Sequence, residues 1–398
     1  MKSLNVAIVN LWNDFRGGTR VALTIADILL MEGHKVELHS LGGPSIEMLD
    51  KVHGTSLMLY IGSSLKVKYY LGGVKGYILS KMTLQALELY RKIVNEILKQ
   101  NNYDAVFLFD DLPNIDLNKI RSTILLYSHF PYTARIKYNI YDILDTDINN
   151  YIINIELIKE RAKRKILKNM FYFGDISSFN NVKILVNSTI TAIFVKKIWN
   201  KVDRVIYPPI SKSSSFNEHT EKKDIAVTLG VISPGKYHGM VIDAFSKVKR
   251  GKLIIMGNLT DMRYLSHLYR KIKLLNLENK VHVLYNIPDN IKWDILSRSK
   301  IIIHAKKFEP FGIALAEGMS VGAVPIVYRS FTSGPWIDII DHGKYGFGFK
   351  NELELEYIID ELLDNKSLWE YYSKKALARS KIFNYDTFER NILKILKK

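Results

Sequence analysis

His304–Gly318, HAKKFEPFGIALAEG, decides how the rest of this chain is read, because it sets two carboxylates around a turn at a strand-to-helix junction. Ahead of it, Ser299-Lys-Ile-Ile-Ile-His304 is an apolar run of strand length. Behind it, Ile313 to Ser320 alternates small and apolar residues at helical spacing. Glu309 therefore falls on the turn and Glu317 on the helix. Pro310-Phe311-Gly312 between them bends the chain tightly, and Gly312 admits a ligand close to the backbone because no Cβ intervenes. A helix beginning here aims free N–H groups beyond the strand ends, which makes an anion site suited to a phosphorylated sugar.

The same kind of junction opens the chain. Leu4 to Val9 reads as a buried strand, Asn10 to Arg16 as a polar loop, and Gly17-Gly18-Thr19 precedes a helix whose Val21, Ala22, Ile25, Ala26, Leu29 and Leu30 share one face. Lys35–Ser40 alternates as a second strand, and Tyr77 to Gln100 reads as a long helix. Asp104–Phe109 and Ser122–Tyr127 are further strands, so the alternation implies a parallel, doubly wound α/β sheet. Ligands of such sheets bind beyond the carboxyl ends of the strands. Two candidates stand there: Asp110-Asp111, read as a capping or loop pair rather than metal ligands, and His129 in Tyr127-Ser-His-Phe-Pro131. Ser188 is expected to cap the helix that follows Lys183–Asn187.

Tyr207-Pro208-Pro209 forbids helix and stiffens a short connector. Strand-helix alternation then restarts: Asp224–Leu229, the loop Gly230-Val-Ile-Ser-Pro-Gly-Lys236, a helix through Met240 and Phe245, and strands at Lys252–Gly257 and Lys280–Tyr285. At 398 residues two domains are expected. The boundaries read are 1–206 for the first and 207–383 for the second, with a closing amphipathic helix in 384–398.

An apolar content of 47% with 24% charged residues describes a globular chain, and no apolar run reaches the ~18 residues of a membrane span. With no signal-peptide pattern after Met1, a cytoplasmic protein is expected. Zero cysteines exclude disulfides, thiolate metal sites and cysteine nucleophiles. The net charge of +17 leaves three readings: nucleic acid, an anionic membrane surface, or a lysine-rich proteome. Nucleic acid is set aside, because the charge is diffuse and no aromatic-interleaved recognition motif accompanies it. The dense cluster Lys159–Lys168 reads equally as a basic amphipathic helix on anionic lipid or as a solvated face.

The stretch EPFGIALAEGMSVGAVPIV from Glu309 resembles the signature of the retaining, nucleotide-sugar-dependent glycosyltransferases of family four, group 1. Two Glu separated by seven residues, the small-residue helix, Gly322 and Pro325 carry the resemblance. Tyr127-Ser-His129-Phe-Pro131 and Ser333-Gly334-Pro335-Trp-Ile-Asp338-Ile339 are similar to phrases of the family's GDP-mannose-dependent α-1,2-mannosyltransferases of lipid-linked oligosaccharide assembly. The likeness is strong in the second half and loose over residues 40–100 and 135–180. It implies the GT-B architecture: two Rossmann-like domains facing across a cleft, with the C-terminal helix crossing back to the first.

By the same resemblance, Glu309 and the backbone of Phe311, Gly312 and Ile313 hold the donor sugar, and Glu317 the ribose. Lys236 with the helix starts after Gly17-Gly18 and Gly312 serves the diphosphate, and His129 reaches toward the sugar. No metal or other cofactor is implied. Mannose from GDP-mannose is the favoured donor, and a glycan or polyprenyl-phosphate-linked acceptor at the cytoplasmic face of a membrane is the favoured partner. A UDP-sugar donor with a soluble acceptor stays open. Val231 departs from the family, standing where an Arg is expected to grip the diphosphate. Either another cation substitutes, with Lys306, Lys307 and Arg329 nearest by position, or the chain is a silent, nucleotide-binding subunit.

Overall fold

The computed structural model describes residues 2–15, 17–72, 83–138, 168–210 and 220–396. The Lys159–Lys168 cluster, apart from Lys168, and residues 77–82 of the expected long helix lie outside them. The described residues form two compact units. One comprises those up to 209 together with 388–396; the other is Ile210–Thr387. These divisions fall slightly C-terminal to the boundaries read from the sequence.

In the first unit, β1 (Asn5–Asn10), β2 (Lys35–Ser40), β3 (Leu65–Tyr69), β4 (Ala105–Phe109), β5 (Thr123–Ser128), β6 (Val182–Val186) and β7 (Arg204–Val205) form a parallel sheet in the order β3-β2-β1-β4-β5-β6-β7. The all-apolar faces of β4 and the last five residues of β1 are buried on both sides, as a central parallel strand requires. Helix α1 (Gly17–Met31) is apolar nearly all round and wholly buried along its middle; its one buried acid, Asp27, accepts the Ser56 N–H at 3.0 Å. Next in chain order are α2 (Ile46–His53), α3 (Thr83–Gln100), α4 (Tyr132–Tyr138) and α5 (Thr189–Trp199). Ser188 caps α5 by accepting the Thr191 N–H at 3.1 Å, and Asn200 closes it in the left-handed conformation. The strand β3 and the helix α2 fall in the stretch 41–76, for which the sequence pattern assigned no element.

The second unit begins again at β8 (Lys223–Leu229) and adds β9 (Lys252–Gly257), β10 (Val281–Tyr285), β11 (Ser299–His304), β12 (Val324–Tyr328) and β13 (Phe347–Phe349). These are parallel in the order β10-β9-β8-β11-β12-β13. Its helices are α6 (His238–Phe245), α7 (Met262–Leu274), α8 (Asp289–Arg298), α9 (Ile313–Ser320), α10 (Glu352–Asp364) and α11 (Lys366–Ser380). Ile301 and Ile303 of β11, Val324 and Ile326 of β12, and Leu355, Ile359 and Leu362 of α10 share one buried core. Gly318 lets α9 lie directly on β11, since a Cβ there would fall 2.4 Å from Ile302 Cδ1.

The last helix, α12 (Tyr385–Leu396), contributes to the first unit. Phe388 is 1% exposed and meets the Tyr127 ring edge-on at 6.4 Å, while Lys183 Nζ donates to Ile395 O at 3.2 Å.

Candidate active site

In the second unit the strand order reverses between β8 and β11, and the sequence places a candidate residue after each of them. After β8 the chain passes Gly230, whose missing Cβ leaves room for the Lys236 stem 3.3 Å away, and closes in a short turn, Pro234–Lys236. His238, at the head of α6, ties this loop down: Nδ1 lies 2.9 Å from Thr228 Oγ1 and Nε2 3.3 Å from Val231 O. Burial holds the His238 ring down at about 4, so it is neutral and serves both bonds in one tautomer. The residue standing for the expected Arg thus contributes its carbonyl to loop structure and no charge.

After β11 the turn carrying Glu309 is fixed through its backbone. Gly334 N–H donates to Glu309 O at 2.8 Å, and Glu309 pairs with Ser333 as a single parallel bridge. Gly334 is obligatory there, because an added Cβ would stand 1.8 Å from Pro310 O. Gly312 precedes α9 with φ 95°, a conformation that favours glycine.

These two loops bring charges together on one oxygen. Lys236 Nζ donates to Glu309 Oε2 at 3.1 Å, Lys306 Nζ lies 3.4 Å from the same atom, and His304 Nε2 stands at 3.5 Å, the outer limit of a hydrogen bond. Burial pushes the Glu309 carboxyl up, but Lys236, Lys306 and His304 together overcome it and hold the group well below the usual carboxylate range. Burial likewise lowers His304, which is 6% exposed. Glu309 is therefore an ionised, acceptor-only group with a neutral imidazole and two ammonium groups around it.

Of the cations nearest Val231 by position, Lys306 is the one that lies beside Glu309. Lys307 instead lies over the Tyr237 and Tyr328 rings at 4.9 and 5.9 Å, and Arg329 pairs with Glu354 at 3.3 Å. Glu317, 4% exposed on α9, has Lys292 Nζ of α8 3.8 Å away. Phe311 is buried with its ring edge-on to Phe383. His304 is the residue beside Glu309 that sequence reasoning left without a role; the signal available was its position at a strand end five residues before Glu309.

The first unit holds its own cluster, again beside the reversal of strand order, between β1 and β4. Gly17 and Gly18 open α1, and the Gly18 backbone lies against the His129 ring, an added Cβ falling 3.6 Å from its Cε1. Thr19 Oγ1 donates to Trp12 O and Asp14 Oδ1 and accepts the Asp14 N–H, which fixes the loop ahead of the helix. His129 stacks on Phe109 and sets Nδ1 3.3 Å from Asp110 Oδ1, while its buried Nε2 has no hydrogen-bond partner among the described residues.

Asp110, at φ 65°, also accepts the backbone N–H groups of His129 and Phe130. Burial works to raise its carboxyl, yet His129 and these amides hold it below the ordinary value. Asp111 accepts the Tyr132 and Thr133 N–H groups at 2.6 and 3.0 Å and so caps α4. The pair does the capping and loop work read from the sequence. The structure thus gathers Lys236 with Glu309 in one unit and Gly18 with His129 in the other.

Comparison with known proteins agrees with this construction. The family model for glycosyl transferases group 1 matches residues 210–379. A GDP-Man:Man(3)GlcNAc(2)-PP-Dol alpha-1,2-mannosyltransferase of Dictyostelium discoideum is 24% identical over 307 residues, 69% of this chain and 59% of that protein. The protein of the same name from Candida glabrata is 30% identical over 54% of this chain and 45% of its own length. The chain thus spans about half the length of the curated relatives it matches. Among solved structures, Alr3699/HepE of Anabaena in complex with UDP and glucose has a TM-score of 0.64 at 16% identity and covers 99% of both chains, a likeness of fold. The two parallel, doubly wound sheets are those of the GT-B fold, and residues 210–379, within the second unit, are the part that the glycosyl transferases group 1 model matches.

Proposed function

We propose that this chain is a retaining glycosyltransferase that moves a mannosyl group from GDP-mannose to a glycan carried on a polyprenyl diphosphate. The observation that carries the reading is the convergence of Lys236, Lys306 and His304 on Glu309 at the point where the strand order of the second unit reverses. Such a reversal is where doubly wound sheets bind ligands. The names of the Dictyostelium and Candida relatives support the donor and the lipid-linked acceptor.

The chemistry follows from the protonation states. Glu309 is ionised and cannot supply a proton to a leaving diphosphate, so its part is to accept hydroxyl donors of the sugar and fix its orientation. Charge on the departing diphosphate falls to Lys236, to Lys306 in place of the absent Arg, and to the backbone N–H groups where α9 begins. Glu317 is assigned to the ribose hydroxyls. The first unit's share is Gly17 and Gly18 at the start of α1, and His129 with its unpartnered Nε2. With no nucleophile for a double displacement assigned among the described residues, same-face attack assisted by the departing phosphate is the route proposed for retention.

Two further readings have an observation behind them. HepE was solved with UDP and glucose, which favours a UDP-sugar donor, and the apolar Val231 favours a silent nucleotide-binding subunit. The test is nucleoside diphosphate release from GDP-, UDP- and ADP-sugars, with and without a polyprenyl-linked acceptor, beside Glu309→Ala. Release confined to GDP-mannose and lost in the variant is the expected result. Release from a UDP-sugar alone changes the donor, and binding without release across the panel makes the chain a silent subunit.

Among the described residues, no helix is long and apolar enough to cross a membrane. A polyprenyl-linked acceptor is met at a membrane surface, and the basic stretch 159–168 supplies charge suited to an anionic one.

A further inference from the structure

The first unit carries a second concave site. A cavity of about 450 Å³, within the range of small-molecule pockets, lies over the face of β2 and β3 beside the start of β1, and its lining shares no residue with the cluster of Gly18 and His129. Strand periodicity made it. In β2 and β3 the residues Val36, Leu38 and Leu65 are buried on one face, while Lys35, Glu37, His39, Lys66, Lys68 and Tyr70 alternate with them on the other. A doubly wound sheet ordinarily covers both faces with helices. Here Glu96, Ile97 and Gln100 of α3 line the cavity beside the polar face.

The floor is a connected polar network rather than loose surface. His39 is 2% exposed; its Nδ1 lies 2.9 Å from Tyr70 Oη and its Nε2 3.4 Å from Tyr103 Oη, which donates to Glu37 Oε2 at 2.7 Å. The His39 and Tyr70 rings stack at 6.0 Å, and Lys68 Nζ sits 5.2 Å above the Tyr70 ring. Among the described residues no carboxylate pairs with Lys35, Lys66 or Lys68, although Glu37 lies beside Lys66 across the strand pair. Three unpaired ammonium groups in one pocket call for an anion. The Glu37 and Glu96 carboxylates and the tyrosine hydroxyls call for hydroxyl donors, and the stacked rings offer a flat surface.

We propose that this pocket binds a soluble phosphorylated polyol, with the lysines on its phosphate and Glu37, Glu96 and Tyr70 on its hydroxyls. The site is separate from the residues assigned to donor transfer and does not depend on that assignment.

Isothermal titration of the full chain carrying Lys236→Met, which weakens anion binding in the second unit, tests it. The probes are a hexose 6-phosphate, the free hexose and inorganic phosphate. Saturable binding of the hexose phosphate, weakened roughly tenfold or more by Lys66→Gln and by Lys68→Gln, is expected, since each removes one charge-assisted contact at an exposed position that leaves the fold intact. Equal binding of inorganic phosphate overturns the polyol, and binding indifferent to both lysine variants overturns the site. Absence of saturable binding at millimolar ligand overturns the proposal outright. Capture by vesicles bearing a phosphorylated inositol headgroup, with no binding of the soluble sugar phosphate, replaces a soluble ligand by a lipid one and overturns it as stated.

Discussion

Replacing Gly334 by Ala would test whether the placement of Glu309, rather than its presence, governs the proposed reaction. An added Cβ would lie 1.8 Å from Pro310 O, 2.6 Å from Pro310 C and 3.1 Å from Glu309 O. All three are backbone atoms that no rotamer change can move aside. Restoring ordinary contact at 3.4 Å requires about 1.6 Å of separation between Gly334 and the turn it holds. The Gly334 N–H to Glu309 O bond and the Glu309–Ser333 bridge transmit that movement to the carboxylate.

A displacement of ~1 Å costs about 10²-fold in rate, or roughly 2.7 kcal/mol. The predicted outcome is a loss of about two orders of magnitude in kcat/KM for nucleoside diphosphate release. The circular dichroism spectrum should be unchanged, and the donor affinity of folded protein should also fall. Turnover within threefold of the parent, in protein whose α9 amides remain protected from exchange, would refute the reasoning. It would mean that the turn yields without moving Glu309.

Two other predictions follow from the same geometry. If Lys306 replaces the absent Arg, Lys306→Met lowers turnover by about 10²–10³-fold, while Val231→Arg changes it little; a silent parent that Val231→Arg activates would show that no substitute exists. The third concerns Lys222, whose ammonium donates to Ser299 O and Val321 O but is pulled down to about 7 by burial. The unfolded chain keeps that proton up to about pH 10.5, so between about pH 7 and 10 it binds more protons than the folded chain. Stability of the second unit then rises with pH, by up to roughly 1.4 kcal/mol per unit. Hydrogen exchange of the β11 amides should show this slope, and Lys222→Met should abolish it.

Much of this was legible in the chain. The parallel strands announce themselves because central strands buried on both faces must be continuously apolar, as Ala105–Phe109 and Ile301–Ile303 are. Pro310-Phe-Gly312 announces its turn because only such residues make it. Ser188 was readable as a cap from its place before a helix, whereas the helix that Asp111 caps begins 21 residues further on. What the sequence could not disclose was convergence. Lys306, Lys307 and Arg329 are equivalent by position, and only the path of the turn sends one to Glu309, one onto tyrosine rings and one to Glu354. The polar face of β2 was visible as alternation, but β3 was not read, and the cavity the two strands line depends on a pairing the sequence does not show.

The final helix bears on how the protein is made. Phe388 fills the core beside Tyr127, in a unit whose other described residues end at 209. A ribosome adding ~5–20 residues per second needs roughly 10–40 s to travel from one to the other. During that interval the amino-terminal unit is emerged but unfinished, with the Tyr127 side of its core open. Its last piece arrives only after the whole second unit has been synthesised. Nascent-chain stability should therefore rise twice, the second time only once residues 388–396 have emerged, and a chain released before then would present that apolar gap to chaperones.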